Sequence, residues 1–600
     1  MILIFGGTTE GRIAAKVCDH AAKSYLYATK GEDQRLLASY AEQIYGAMSE
    51  ADIEGVITSR GVDLIIDAAH PYAEALHTNI AQAAEMRSIT TVRFERLGSR
   101  SNYHKLHYFD SLADVITHIK SEGIYDVLAL TGVKSAALFA PIAKSHRLTL
   151  RVMDREESMQ LIEKSRFPIE NIIYYDLGGA ENYSIDQKIG AIVTKESGES
   201  GGFSKKIELA ESHDIPIFVV KRPQLPNYTS TIYGEFGLRR EIETLLPRYY
   251  ELRTGFTTGS AATAATVAAL KAAIFGEQGS HIVITLPNNE PYTIPIEEIR
   301  RDGDSIYASV VKDGGDDPDA THNIVIAAKV SCCESTESRV TIKGGEGVGR
   351  VTLPGIGIDI GEAAINPIPQ EMIRNNVMAL LSDDNRCYDV EVEISVPEGE
   401  MIAKKTFNPR LGIINGISIL GTSGIVQPFS SEAFIDSIAR QIDIVKALGE
   451  QMIVINSGAM SERYIKSRYP DLPPQCYIHY GNLIGETLRV AAAHDIKRVV
   501  LGVMVGKAVK LASGALDTHS KRTTLDRDFL ISIARRAECT DGVISQIERL
   551  TTARQLWEII PSVDHQFFHL IKECCYTHSR PLLPKGELTI TLISERGVLI

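Results

Sequence analysis

Close to the start of this chain, Gly6-Gly7-Thr8-Thr9-Glu10-Gly11-Arg12 follows the apolar run Ile2 to Phe5 and leads into the helix-compatible Ile13-Ala14-Ala15-Lys16-Val17. Glycines at a strand-to-helix turn let backbone N–H groups approach a pyrophosphate at the positive end of the helix dipole. The spacing shifts the middle position of G-x-G-x-x-G, so a tight turn that needs glycine for its own sake is the alternative. Gly6, Gly7, Thr8, Glu10, Gly11 and Arg12 are the candidate cofactor contacts here. The next apolar run ends Ala28-Thr29-Lys30-Gly31, roughly where a fold preferring NAD places an acid on the ribose 2′-hydroxyl. Thr29 and Lys30 suit a 2′-phosphate instead, which favours NADP; an ordinary solvated lysine at a strand end is the bland alternative.

Three more constellations fall at expected strand ends, where open α/β sheets bind ligands. They are Asp67-Ala68-Ala69-His70-Pro71-Tyr72-Ala73, Thr131-Gly132 with Lys134, and Thr194-Lys195-Glu196-Ser197-Gly198 running into Gly201-Gly202. His70 is an acid–base candidate or part of a packed turn. Thr131, Gly132, Thr194, Lys195, Ser197 and Gly198 concentrate hydroxyls, backbone donors and a cation, and are candidate cofactor contacts.

The second half of the chain offers a different set. Arg253-Thr254-Gly255-Phe256-Thr257-Thr258-Gly259-Ser260 precedes an Ala-rich helix whose natural N-cap is Ser260 or Thr258, and it offers donors to a carboxylate. Lys312-Asp313-Gly314-Gly315-Asp316-Asp317-Pro318-Asp319 packs acids densely, but not at EF-hand spacing, so an Asx-rich turn that orients a ligand or caps a helix is preferred to a metal loop. Gly344-Gly345-Glu346-Gly347-Val348-Gly349 is followed by a β-rich segment and fails as a dinucleotide fingerprint. Gly421-Thr422-Ser423-Gly424 is read as a turn between a strand and a helix that could seat a nucleoside or carboxylate. Lys507, Lys510, Asp517 and His519 bring cations, an acid and an imidazole into one span, where the Asp and His are either acid–base partners or a solvated loop.

The elements that must hold these groups follow from periodicity. Up to about Leu246, short apolar runs alternate with helix-period segments: Ile2 to Phe5, Ser24 to Thr29, Asp63 to Ala68, Thr90 to Phe94, Val127 to Thr131, Leu148 to Val152, Ala191 to Thr194 and Ile217 to Val220. That pattern predicts a parallel, Rossmann-like α/β sheet. The texture changes after Leu245-Leu246-Pro247, giving an α/β module over 1–246, a strand-rich α+β domain over 251–410 and a second α/β domain over 411–600. The strands of the last are expected at Ile417 to Leu420, Met452 to Asn456 and Arg498 to Val503.

At 600 residues the chain is too long for one ordinary domain. With 44% hydrophobic and 23% charged residues it is neither mainly disordered nor fibrous. A net charge of −13 gives no global field to attract nucleic acid or an anionic membrane, so an anionic ligand must meet local cations. The eight cysteines form no CxxC pair and no zinc spacing, and read as thiols in a reducing compartment. No secretory signal opens the chain and the apolar Ser260 to Phe275 is too short to span a bilayer, so a cytoplasmic protein is expected, with no metal site and a homo-oligomer left open.

Gly6-Gly7-Thr8 with Glu10 and Arg12, Asp67 to Ala73, Arg93-Phe94-Glu95-Arg96, Thr194 to Gly198, and Ile215-Pro216 with Lys221-Arg222-Pro223 resemble, in order, the precorrin-6A reductase family of vitamin B12 biosynthesis. Residues 251 to 600 resemble the cobalt-precorrin-5B C1-methyltransferase family, through Arg253 to Ser260, Lys312 to His322, Gly344 to Gly349, Asn366 to Pro369, Thr406 to Gly412, Gly421 to Gly424 and Asp517 to Ser520. The resemblances imply NADPH and S-adenosylmethionine as cofactors and consecutive steps: methylation of cobalt-precorrin-5B at C1, then reduction of cobalt-precorrin-6A to 6B. Methyl transfer needs in-line positioning more than acid or base.

The implied substrate is a cobalt-bearing macrocycle edged with carboxylates. Arg93, Arg96, Lys195, Arg253, Lys312 and Lys507 are candidates to meet those groups, with Thr257, Thr258, Gly259, Ser260, Asp316 and Asp317 beside them. His70, Asp517 and His519 are the catalytic candidates, and Gly421, Thr422, Ser423 and Gly424 the candidates for the methyl donor. The rival expectation is a non-catalytic NADP-sensing or corrinoid-binding scaffold.

Overall fold

The computed structural model describes residues 1–32, 36–96, 101, 103–175, 189–198, 201–382, 386–520, 523–594, 597 and 600. The chain divides into two compact units, Met1–Glu251 with Glu290–Tyr292 and Leu252–Asn289 with Thr293–Ile600.

In the first unit every expected apolar run becomes a strand. They are β1 (Ile2–Phe5), β2 (Tyr25–Thr29), β4 (Leu64–Asp67), β5 (Thr90–Glu95), β7 (Asp126–Leu130), β8 (Arg147–Met153), β10 (Ala191–Lys195) and β11 (Ile217–Val220). Four others join them: β3 (Ala41–Tyr45), β6 (Leu106–Phe109), β9 (Ile172–Tyr175) and β12 (Ser230–Tyr233). Two six-stranded sheets result, ordered β3-β2-β1-β4-β5-β12 and β9-β8-β7-β10-β11-β6. Every pairing in both is parallel. The sequence therefore predicted one Rossmann-like sheet where there are two. Each has the dinucleotide-fold order, with its switch point at β1/β4 in one and β7/β10 in the other.

The four added strands are the sheet edges. Their burial alternates or is only partial, as in β12 with its intermediate–exposed pattern, so they carry no continuous apolar run to detect. Two of them are exchanged between the sheets. β6 leaves the first sheet's sequence to edge the second, and β12 returns from the second to complete the first.

The central strands are dry on both faces: Ile2, Leu3, Ile4, Leu64, Ile65 and Ile66 are each 0% exposed. Truncating any of them to alanine should cost about 2–5 kcal/mol. Thr8 caps the helix Thr9–Asp19 by accepting from Gly11 N at 2.9 Å, which starts it at the end of β1. A Cβ on Gly11 would stand 2.7 Å from Gly6 Cα, so glycine here lets the helix lie directly on the strand turn.

In the second unit the Ala-rich helix Thr258–Phe275 is buried without a break from Thr258 to Leu270. Its small side chains let it lie against a five-stranded sheet ordered Glu298–Asp302, Ser305–Val311, Val325–Ser335, Cys387–Ser395 and Arg339–Gly344. All pairs are antiparallel except the last. Cys387–Ser395 shows the alternating burial its sequence predicts. Farther on, Tyr477–His479, Met452–Asn456, Arg498–Met504 and Glu587–Ile593 form, in that order, a four-stranded parallel sheet. Ile417 and Ile419 make only isolated bridges, to Val348 and Ile365, so the expected strand at Ile417 to Leu420 is absent. Glycines that break regular pairing surround that segment, and a Cβ on Gly416 would meet Gly347 O at 2.3 Å.

Candidate functional site

The loops at the carboxyl ends of the first unit's two sheets meet. Tyr72, after β4, donates its phenol to Val220 O at 2.8 Å and accepts from Glu196 N at 3.1 Å. Arg96, after β5, reaches Ser197 O at 3.1 Å, and Arg222, after β11, reaches Glu196 O at 3.1 Å and Arg96 O at 3.3 Å. Four of the sequence-selected segments, around Gly6, His70, Arg96 and Lys195, are therefore brought together at this end of the two sheets.

Gly7 takes φ +83°, and its N–H donates to Tyr27 Oη at 3.1 Å. Gly6 is small because a Cβ would strike the Tyr27 ring at 2.2 Å. These glycines serve the turn and the close packing, while the first-turn amides beyond them lack intrahelical acceptors. Thr8 is committed to its cap and to Ala68 O at 2.6 Å. Glu10 pairs with Arg96 Nε at 2.8 Å, both nearly buried, so two residues selected for different ligands neutralise each other. Arg12 stays exposed. Thr29 donates to Gly31 O, and Lys30 pairs at 2.9 Å with Glu157, both ends exposed. Such a solvated pair is weak enough for a phosphate to replace the carboxylate.

Arg93 is the main departure from the sequence expectation. It is 1% exposed, with Nη1 3.0 Å from Asp67 Oδ1 and Nη2 2.8 Å from Glu95 Oε2, so its charge is spent inside the protein instead of facing a substrate carboxylate. Asp67 also accepts from Ala69 N at 3.0 Å and Tyr228 Oη at 2.5 Å, and lies 2.6 Å from His77 Nδ1. Burial pulls the Asp67 carboxyl up, but His77, the Arg93 charge and Tyr228 outweigh it and hold it below the ordinary range. His77 and Tyr228 were not selected from sequence; a lone His at a helix start and a Tyr in a loop gave no signal.

His70 is an exposed residue whose Nδ1 accepts from Tyr72 N at 3.3 Å. Although part of the residue reaches solvent, desolvation of the ring, then the cations Arg96, Lys195 and Arg93, push its pKa down to about 4, so it is neutral near pH 7. Lys195 is half-buried at the end of β10, 4.8 Å above the Tyr72 ring centroid. Burial and then Lys134 lower its pKa, against Glu74. At the second switch point, Thr131 Oγ1 lies 2.7 Å from Ser135 Oγ, and Gly132 takes φ +78° with open space where a side chain would be. Thr194 is buried within the sheet. Ser197 donates to Gly201 O at 3.0 Å, and Gly198 takes φ +70°.

In the second unit most selected donors are already used. Thr257, not Ser260 or Thr258, caps the Ala-rich helix, by accepting from Ser260 N at 3.2 Å. Thr258 Oγ1 bonds Ser418 O and accepts from Leu420 N at 2.8 Å, and Ser260 Oγ donates to Gly424 O at 2.6 Å. Gly259 packs on Pro369 and Leu420 O. These residues join the helix to the 418–424 segment and are not an open anion cradle. Lys312 is 1% exposed and pairs with Asp319 at 2.7 Å. Arg253 pairs with Asp313 at 3.3 Å and with Asp316 at 3.5 Å, and Asp317 accepts from Phe429 N at 2.9 Å. Asp313 and Asp319 accept from the amides of Gly315 and Thr321, the Asx turns expected of the acid run.

The Gly421 to Gly424 turn leads to the short strand Ile425–Val426, with the next helix starting only at Ser431. Its inner side is filled: a Cβ on Gly421 would meet Thr257 Oγ1 at 2.4 Å and one on Gly424 would meet Ser260 Oγ at 2.8 Å. Only Thr422 and Ser423 face outward.

Open backbone lies instead at the carboxyl end of the parallel sheet, around Met452–Asn456 and Arg498–Met504, where the strand order reverses. Asn456, 0% exposed, accepts from Gly458 N at 3.1 Å, and Gly458 (φ +150°) and Gly506 both have free space where a Cβ would stand. Lys507 donates to Gly481 O and lies 5.4 Å from the Tyr480 ring. Burial and then Lys510 pull its pKa down to about 8, opposed by Asp517. Asp517 accepts from the His519 main-chain N–H at 3.0 Å, the geometry of a turn. Beside them, Glu462 holds Arg410 at 2.8 Å, His479 at 2.5 Å and Lys466 at 2.6 Å, a cluster not selected from sequence. Among the described residues no group of His, Cys, Asp and Glu is arranged to hold a metal ion.

Comparison with known proteins divides the chain in the same order. The family model described as Precorrin-6x reductase CbiJ/CobK matches residues 1–235, that described as CbiD matches 247–428, and CbiD, C-terminal domain, matches 517–600. A cobalt-precorrin-5B C(1)-methyltransferase of Priestia megaterium is 43% identical over 349 residues, spanning 58% of this chain and 95% of that protein. The one from Geobacillus kaustophilus is 44% identical, over 54% of this chain and 87% of its own. Among solved structures, a cobalamin biosynthesis protein (cbiD) from Archaeoglobus fulgidus is 29% identical, covering 45% of this chain and 83% of its own, with TM-score 0.26. A CobK precorrin-6A reductase is 21% identical, covering 41% and 96%, with TM-score 0.34.

Proposed function

The chain belongs to the cobalt-precorrin-5B C(1)-methyltransferase family through its C-terminal part and to the precorrin-6x reductase family through its N-terminal part, and from this we propose a bifunctional enzyme of cobalamin biosynthesis. It methylates C1 of cobalt-precorrin-5B with S-adenosylmethionine and reduces the resulting cobalt-precorrin-6A to 6B with NADPH. The observation that carries this reading is that the two families occupy successive stretches of one chain, 1–235 and 247 onward.

A reduced dinucleotide suits the first unit. The β1 turn has a positive-φ glycine and a capped helix whose positive end lies close behind it, and Lys30 stands beyond β2 for a 2′-phosphate. When bound, NADPH supplies the hydride. The chain's residues aim it: Tyr72, Arg96 and Arg222 tie the two sheets' loops together.

For the methyl donor, the packed Gly421 to Gly424 turn fits poorly, since its own helix fills the cradle. The crevice of Asn456, Gly458, Gly506 and Lys507 fits better, having room above two glycines at a switch point. S-adenosylmethionine supplies an activated methyl group there. The protein's contribution is to hold the acceptor carbon in line, with Lys507 toward the substrate carboxylates.

Anaerobic incubation with cobalt-precorrin-5B, S-adenosylmethionine and NADPH, followed by mass spectrometry, tests the reading. A gain of one methyl group and then of two hydrogens is expected. Tight binding without any mass change overturns it in favour of a scaffold.

A further inference from the structure

Reduction of a ring double bond needs a proton as well as a hydride, and the carboxyl end of the first unit's sheets has two titratable groups beside each other, His70 and Lys195. His70 is flanked by Arg96, Lys195 and the buried Arg93, a field that disfavours a second proton on its ring. Its Nδ1 is already accepting from Tyr72 N. It has no proton to lend at neutral pH from the side that would have to carry a charge.

Lys195 differs in every respect. It ends β10, at the switch point with β7, where ligands of parallel sheets bind. Its Nζ makes no hydrogen bond or ion pair among the described residues; its one recorded neighbour is the face of the Tyr72 ring, 4.8 Å away. That ring is held rigidly by bonds to Val220 O and Glu196 N, so it fixes the ammonium as a platform without accepting its proton. A half-buried lysine without a carboxylate partner is costly, and such groups cluster where chemistry requires them. The charged groups around it are Lys134 after β7, Glu74 at the start of the helix after β4, His70 and Arg96. Glu196, next in sequence, is engaged by Arg222.

We propose that the Lys195 ammonium is the proton donor of the reduction. As the hydride bond forms at one ring atom, the π pair shifts to the neighbouring atom and takes a proton from Nζ. Lysine is left as the neutral amine and regains a proton from water. The ring gains two hydrogens, the dinucleotide is oxidised and the balance closes. Burial and Lys134 favour this by easing loss of the proton.

The inference rests on the reductase reading, and the test separates the two. Lys195→Arg keeps the charge on a group that does not release its proton near neutral pH. Single-turnover oxidation of NADPH with cobalt-precorrin-6A is expected to slow by about 100-fold or more in Lys195→Arg. The dissociation constant for NADP+, measured by calorimetry, should stay within about threefold. In Lys195→Ala, small primary amines should restore rate in order of their acidity, a response a merely structural lysine would not give. A Lys195→Arg enzyme as fast as wild type, a loss explained wholly by weaker dinucleotide binding, or no amine rescue overturns the inference alone. A wild-type chain that leaves cobalt-precorrin-6A unreduced overturns the reductase reading and this inference with it.

Discussion

Asp67 Oδ2 lies 2.6 Å from His77 Nδ1, and both side chains are wholly enclosed at the end of β4. The other ring nitrogen of His77 faces His70 O at 3.1 Å, so both nitrogens are engaged by oxygens. With Arg93 on the far oxygen, the pair anchors the loop that carries His70 and Tyr72. Removing His77 takes one hydrogen-bond partner from the buried Asp67, whose other oxygen keeps Arg93. His77→Ala should therefore destabilise the first unit by about 1–3 kcal/mol, read from urea unfolding of the whole chain. A loss below about 1 kcal/mol would show that the network relaxes around the gap.

The Lys312–Asp319 pair makes a similar demand in the second unit. Asp319→Asn strands a lysine that is 1% exposed and should cost about 3–5 kcal/mol. Lys312→Met together with Asp319→Asn should recover part of that loss, because the stranded charge is gone. Denaturant midpoints of the two variants decide it; equal losses would mean that charge is not the cause.

Glu462 carries the clearest dependence on acidity. Burial raises its carboxyl, but bonds from His479, Lys466 and Arg410 prevail and hold its pKa near about 2, against 4.5 in the unfolded chain. A depressed carboxylate contributes stability that is complete above the unfolded value and drains away as pH falls toward the folded one. The stability gap between wild type and Glu462→Gln should accordingly narrow steadily from pH 5 to pH 3. A gap that is constant over that range would remove the ion cluster as its source.

Lys507, with a pKa near about 8, loses its charge within an accessible range. Affinity of the methyltransferase for its polycarboxylate substrate should weaken as pH rises through 8. In Lys507→Arg that weakening should vanish, since the guanidinium stays charged. Substrate titrations from pH 7 to 9 read this directly, and an identical slope in both proteins would exclude Lys507 from carboxylate binding.

The location of the methyl donor can be settled by titration with S-adenosylhomocysteine. Gly458→Val, which fills open space beside Asn456, should reduce affinity by at least about tenfold, whereas Thr422→Ala with Ser423→Ala should leave it unchanged. The opposite pattern would return the donor to the Gly421 to Gly424 turn.

The sequence by itself determined the inner strands of both sheets of the first unit, because a strand covered on both faces must be apolar throughout and therefore stands out, as Ile2 to Phe5 and Ile217 to Val220 do. It also pointed to the glycine turn after β1, where Gly7 takes φ +83°. The edges β3, β6, β9 and β12 and the strand exchange were decided by tertiary structure, since half-solvated strands need no distinctive composition. So was the fate of each charge. Arg93, Arg96, Lys312 and Lys195 are alike in sequence as basic residues near strand ends, yet the first three fold onto acids and the fourth does not. Which carboxylate lies within 3 Å of a cation depends on residues far away in the sequence, 86 positions for Glu10 and Arg96 and 127 for Lys30 and Glu157, and only the folded chain brings them together.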